Sequence, residues 1–189
     1  NNLQFLRDVM KGYDVEADND FKSSDQRKGV NPPPKVKEIP EDETLISQLP
    51  EFDETILLES NIFHLIKRRR SRRRYKKTPL SLQELSYLLW ATQCVKNVCK
   101  NREWTIRTVP SAGARHPYET YLIVNLVDGL EKGIYRYLPL THELLFVSDK
   151  PDTRDRVFSA SHNEKFVADA PVCFVWSCIP YRGEWRYNS

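Results

Sequence analysis

The chain has 189 residues, 40% hydrophobic and 11% aromatic, which suffices for one domain with a sizeable core plus an arm. A formal charge of +3 is too mild to imply a polyanionic partner for the chain as a whole, and no apolar run approaches the roughly 18 residues a membrane span needs. No secretory hydrophobic region follows Asn1, and Cys94, Cys99, Cys173 and Cys178 show no C-x-x-C and no histidine at a ligand-like spacing. These features predict a reducing, cytoplasmic setting, no metal site, and cysteines that act as small hydrophobes.

Residues 1–53 are polar and include "NPPPKVKEIPEDE" (Asn31 to Glu43), whose three prolines favour polyproline II and exclude a helix. An extended N-terminal arm is predicted there, with a short helix around Leu3 to Gly12. A domain is predicted over 54–189. It begins with Ile56, Leu57, Ile62, Leu65 and Ile66 at helical spacing, an amphipathic helix that runs into a basic stretch. "PLSLQELSYLLWATQ" (Pro79 to Gln93) carries the strongest helix signal, with Ser81 and Glu84 forming a capping box and Leu82, Leu85, Leu88 and Leu89 on one face.

Three β-rich runs follow, at Tyr118 to Val127, Gly133 to Pro139 and His142 to Ser148. A helix is predicted over Asp152 to Ser161, and a buried central strand over Ala170 to Ile179. Helices flank strands without regular βαβ alternation, so the fold class is α+β. A strand apolar on both faces needs cover on both sides. With only ten residues after Ile179, the fold is expected to be incomplete at its C-terminus or completed by a second chain.

The stretch "KRRRSRRRYKK" (Lys67 to Lys77) has nine basic residues in eleven positions. If the helix continues, Arg69 and Arg73 share the face of Ile62 and Ile66; if the chain is extended, Arg69, Ser71, Arg73 and Tyr75 share one face. Two arginines turned inward with a serine between them suit a phosphate, since a buried charge needs a partner. A solvated face and a nucleic-acid patch are the alternatives; the latter lacks interleaved aromatics for base stacking. A second constellation, "PSAGARHPYETYLIVN" (Pro110 to Asn125), is a loop of small residues entering a strand. Ser111, Ala112, Gly113 and Ala114 leave backbone amides approachable by a flat ligand, and Arg115 and His116 add donors; a plain connection before a strand is the alternative.

Together, "RRSRRRY", the helix "LSLQELSYLLWATQ" and "PSAGARHPYETYLIV" resemble the flavin-dependent nitroreductase superfamily. With "SDQRKGVNPPP" (Ser24 to Pro34) and "GIYRY", the chain looks most like its SagB-type dehydrogenase branch. The resemblance implies a nitroreductase-like sheet flanked by helices and an FMN at the interface of a homodimer. Arg69, Ser71 and Arg73 match the positions that meet the phosphate, ribityl chain and pyrimidine edge. Pro110, Ser111, Ala112 and Gly113 match the segment lining the isoalloxazine, with Arg115 and His116 beside it. The implied activity is two-electron transfer through bound flavin, with NAD(P)H or a peptide or small-molecule substrate as partner, including oxidation of peptide azolines to azoles. A truncated, non-catalytic binding subunit is the alternative, and no nucleic acid or membrane partner is implied.

Overall fold

The computed structural model describes residues 23–41, 46–99 and 104–188. The helix predicted over Leu3 to Gly12 lies outside them. The elements are β1 (Ile46–Gln48), α1 (Ile62–Arg68), α2 (Leu82–Gln93), β2 (Val95–Val98), β3 (Thr105–Arg107), β4 (Tyr118–Val124), β5 (Gly133–Leu138), β6 (Glu143–Ser148), α3 (Thr153–Ala160), α4 (Lys165–Ala168), β7 (Val172–Cys178) and α5 (Tyr181–Tyr187). Five strands form an antiparallel sheet in the order β1-β6-β5-β4-β7, and β2 and β3 form a separate hairpin. The result is α+β, as the segregated pattern of helices and strands predicts.

Alternation along the strands gives the sheet two unlike faces. Leu122 and Val124 of β4, Tyr135 and Tyr137 of β5 and Leu144 of β6 form the core with Leu85 and Leu89 of α2. The capping box that starts α2 is present: Ser81 Oγ accepts from Glu84 N–H at 3.2 Å, and Glu84 Oε2 accepts from Ser81 N–H at 2.8 Å. Leu88, predicted on the same face, is exposed instead.

Ser86, His142 and Tyr137 link α2 to the β5–β6 turn. Ser86 Oγ donates to Pro50 O at 2.7 Å and lies 2.8 Å from His142 Nε2, while Tyr137 Oη lies 2.7 Å from His142 Nδ1. Because the Ser86 proton goes to Pro50, Nε2 carries the imidazole hydrogen and Nδ1 accepts from Tyr137. Ser86 is fully buried, so this serine–histidine pair is a core network and not a nucleophile.

Two sequence expectations change. The helix predicted from Ile56 onward is split into a 3₁₀ turn at Glu54–Ile56 and the separate α1, which begins where Asn61 accepts from Phe63 and His64 N–H. The strand expected to be central is β7, which among the described residues pairs only with β4 and lies at the sheet edge. Its second half is open, with Val175 and Trp176 exposed. The apolar run records a need for cover, but strand order is set by pairing between distant segments.

The proline-rich segment is held against the domain through its main-chain carbonyls. Trp185 Nε1 donates to Val30 O, Arg182 Nε to Pro34 O, Arg107 Nη2 to Lys35 O and Arg136 Nη2 to Glu38 O, at 2.9–3.2 Å. A polyproline-type chain makes no internal hydrogen bonds, so its carbonyls are free for such donors.

Candidate functional site

The basic segment begins at the last turn of α1, where Lys67 and Arg68 suit the negative end of the helix. A further helical turn would stack Arg68 on Arg72, Arg69 on Arg73 and Arg70 on Arg74, four residues apart and of like charge. The helix stops instead, with Arg69 at φ −55, ψ 130 and the chain irregular beyond it. The helical phase for Arg69 and Arg73 is therefore overturned, and so is their inward orientation: residues 61–79 are all exposed.

Among the described residues no ion pair engages Arg69 or Arg73, and Ser71 takes part in no hydrogen bond. The Arg73 guanidinium sits 5.4 Å from the Phe166 ring centroid, over α4. Arg69 lines an open cleft of about 700 Å³ with Arg68, Arg70 and Arg72, above Leu65, Leu80 and Tyr87. Guanidinium forks suit a phosphate, and here Arg69 faces the cleft, lined also by Glu59 and Glu84, while Arg73 lies over Phe166.

The second segment is a tight loop. Ala112–Ala114 makes a 3₁₀ turn in which Gly113 has φ 55, and Ala114 (φ 53) and His116 (φ 44) are also left-handed. Non-glycine residues persist there only where their surroundings hold them. Ser111 Oγ accepts from His116 N–H and Arg115 Nε donates to Gly113 O, both at 2.9 Å. Sequence reasoning expects open main chain along Ser111–Ala114, and the structure restricts this. A Cβ built on Gly113 would meet Arg186 Cδ and Nε and the Tyr187 hydroxyl, so α5 covers that side, while Pro110 and Ala112 stay exposed.

Behind the loop lies a buried charge cluster that sequence reasoning missed. Arg182 donates from Nη2 to Glu119 Oε1 at 2.5 Å, from Nη1 to His116 O at 3.1 Å and from Nε to Pro34 O at 2.9 Å. Glu119 Oε1 also accepts from Lys37 N–H at 2.9 Å. Burial lowers the Arg107 pKa to about 10 even though Glu119 opposes the shift. Burial, with Arg107 nearby, lowers that of His116 to about 4, so its imidazole is neutral at pH 7. The available signal was Glu119 itself, a carboxylate inside the apolar strand "YETYLIV", which calls for a buried cation.

The structure thus places Arg69, Ser71 and Arg73 on one exposed strip, and Pro110, Ser111, Ala112, Gly113 and Arg115 on one loop. Among the described residues no hydrogen bond or ring contact joins the two.

The chain is similar to known proteins. The family model described as "Nitroreductase family" matches residues 66–189, which span both segments. A candidate nitroreductase of Methanocaldococcus jannaschii is 36% identical over 133 residues, 70% of this chain and 62% of the relative, so the chain spans less than two thirds of that relative's length. Among solved structures, a candidate nitroreductase of Ralstonia eutropha has TM-score 0.53 at 26% identity, covering 80% of this chain and 62% of its own. One from Anabaena variabilis has TM-score 0.51 at 24% identity, covering 66% of this chain and 25% of its own, and shares the fold. An antiparallel sheet flanked by helices and a family match running through both candidate segments lead to one conclusion: the chain belongs to the nitroreductase family.

Proposed function

We propose that this protein is an FMN-dependent oxidoreductase acting as a homodimer. The carrying observation is the exposed strip Arg69, Ser71 and Arg73, a cationic donor set without carboxylate partners among the described residues. Arg69, Ser71 and Arg73 would hold the phosphate, ribityl chain and pyrimidine edge. Pro110, Ser111, Ala112 and Gly113 would line the ring from the partner protomer, with Arg115 beside them. Bound FMN supplies two-electron transfer. A cation at the pyrimidine edge favours the reduced, anionic form of the ring, so one of these arginines also tunes the potential.

The dimer reading is supported by α1. Its Ile62, Phe63 and Ile66 are 72%, 66% and 70% exposed, an apolar stripe that the described residues leave uncovered. A second copy would cover it and bring each basic strip towards the other protomer's loop.

The narrower reading, a SagB-like enzyme that oxidises peptide azolines to azoles, rests on "SAGARHPYE" and "SDQRKG". Purified full-length protein is mixed with FMN and then desalted. Retained flavin absorbance supports the oxidoreductase; a colourless protein refutes it. Arg69→Ala and Arg73→Ala should lose flavin far more readily than Arg70→Ala and Arg72→Ala, whereas equal losses at all four would mark a diffuse charge patch.

A further inference from the structure

The motif "SDQRKGVNPPP" (Ser24 to Pro34) is unexplained by the flavin contacts above. It folds into a turn, with Lys28 N–H donating to Ser24 O and Val30 N–H to Asp25 O, followed by the proline-rich run. Its contacts converge on α5. Gln26 N–H donates to Trp185 O at 2.8 Å, Arg186 Nη1 to Gln26 Oε1 at 3.2 Å and Tyr181 Oη to Asp25 Oδ2 at 3.0 Å. Trp185 Nε1 and Arg182 Nε donate to Val30 O and Pro34 O, each at 2.9 Å.

The same α5 side chains also hold the Ser111–His116 loop. Arg182 Nη1 donates to His116 O at 3.1 Å, the Arg115 guanidinium stacks 5.1 Å over the Trp185 ring, and Arg186 and Tyr187 lie against Gly113. The loop carries three left-handed residues, two of them not glycine, and besides its own internal hydrogen bonds it is restrained by this helix. A helix of seven residues is too short to be stable alone. Its position depends on its tertiary contacts, and the Ser24–Pro34 motif supplies many of them.

We propose that the strap Ser24–Lys37 is a positioning device for the Ser111–His116 loop, acting through Arg182 and Trp185. The inference rests on the loop being the flavin-facing segment. Arg182 is the central connector, because its fork reaches the strap (Pro34 O), the loop (His116 O) and the strand carboxylate (Glu119) at once. Arg182→Lys keeps a cation beside Glu119, but a single ammonium cannot span all three acceptors. Trp185→Phe keeps an aromatic ring under Arg115 while deleting the N–H that grips Val30 O together with part of the buried indole.

The test is amide hydrogen exchange on full-length protein without flavin, followed by FMN titration. In both variants, exchange across 111–116 should rise about tenfold or more while β5 and β6 keep wild-type rates. FMN should bind about tenfold more weakly, and the visible spectrum of the bound flavin should shift. Unchanged loop exchange in both variants overturns the proposal. So does a uniform rise that includes β5 and β6, which is the mark of a merely structural role, and so does faster loop exchange with wild-type FMN affinity and spectrum. A wild type that takes up no FMN, combined with faster loop exchange in the variants, refutes the flavin reading and supports the coupling of strap to loop. Should Arg182→Lys fail to fold, Trp185→Phe decides the matter alone.

Discussion

Gly113→Ala separates two costs that a left-handed glycine usually combines, because the protein contains its own control. Gly113 and Gly129 have φ 55 and φ 76, so alanine at either position must enter the left-handed region, at a cost of about 1 kcal/mol. Nothing lies within 4 Å of a Cβ built on Gly129, whereas at Gly113 it overlaps Arg186 and the Tyr187 hydroxyl. Arg186 cannot simply swing away, since Nη1 is committed to Gln26 Oε1. Overpacking of this kind adds about 1–3 kcal/mol. Gly113→Ala should therefore lose about 2–4 kcal/mol in urea unfolding, and Gly129→Ala only about 1 kcal/mol. At this chain length each lost kcal/mol lowers Tm by about 2–4 °C. In a double-mutant cycle, Arg186→Ala in the Gly113→Ala background should recover part of the packing loss. Equal losses at the two glycines, or no coupling to Arg186, would refute the packing of α5 onto the loop.

Three further outcomes follow from the buried groups and the helix cap. His116 is held neutral down to about pH 4, whereas an unfolded histidine takes its proton near pH 6.5; the unfolded state thus binds more protons in between. Stability should fall as pH drops from 6.5 through about 4, with His142, also lowered by burial, acting in the same direction. His116→Asn, which tolerates the left-handed backbone, should flatten that slope, and an unchanged slope of unfolding midpoint against pH would exclude His116 as its source. Glu119→Gln keeps an acceptor for Lys37 N–H but leaves Arg182 without its counter-charge, so a loss of about 3–5 kcal/mol is expected in chemical denaturation. Ser81→Ala removes the capping box of α2 and should cost about 1 kcal/mol by the same assay, leaving flavin binding unaffected.

Much of the domain was legible because local chemistry decides it. Ser81 and Glu84 start α2 at the residue where the capping-box pattern places it, and Tyr118 to Val124, Gly133 to Leu138 and Glu143 to Ser148 form strands where β-branched and aromatic residues alternate. The hairpin of β2 and β3 escaped notice, since "VKNV" and "TIR" are short and polar and owe their pairing to each other. The two candidate segments were identifiable as motifs, but their environments were not. The inward turn expected of Arg69 and Arg73 depended on α1 packing into the core, and α1 is exposed throughout.

The sequence by itself determined the α+β class, the family pattern and the local conformation of most elements, because periodicity, capping and turn chemistry act within a few residues. Only the tertiary structure decided that β7 is an edge strand, that the proline-rich arm is a strap, and that Arg182 meets Glu119, His116 and Pro34. Those partners lie 63, 66 and 148 residues away in the chain. A buried guanidinium announces that it needs acceptors, but which ones it finds depends on how the remote segments pack.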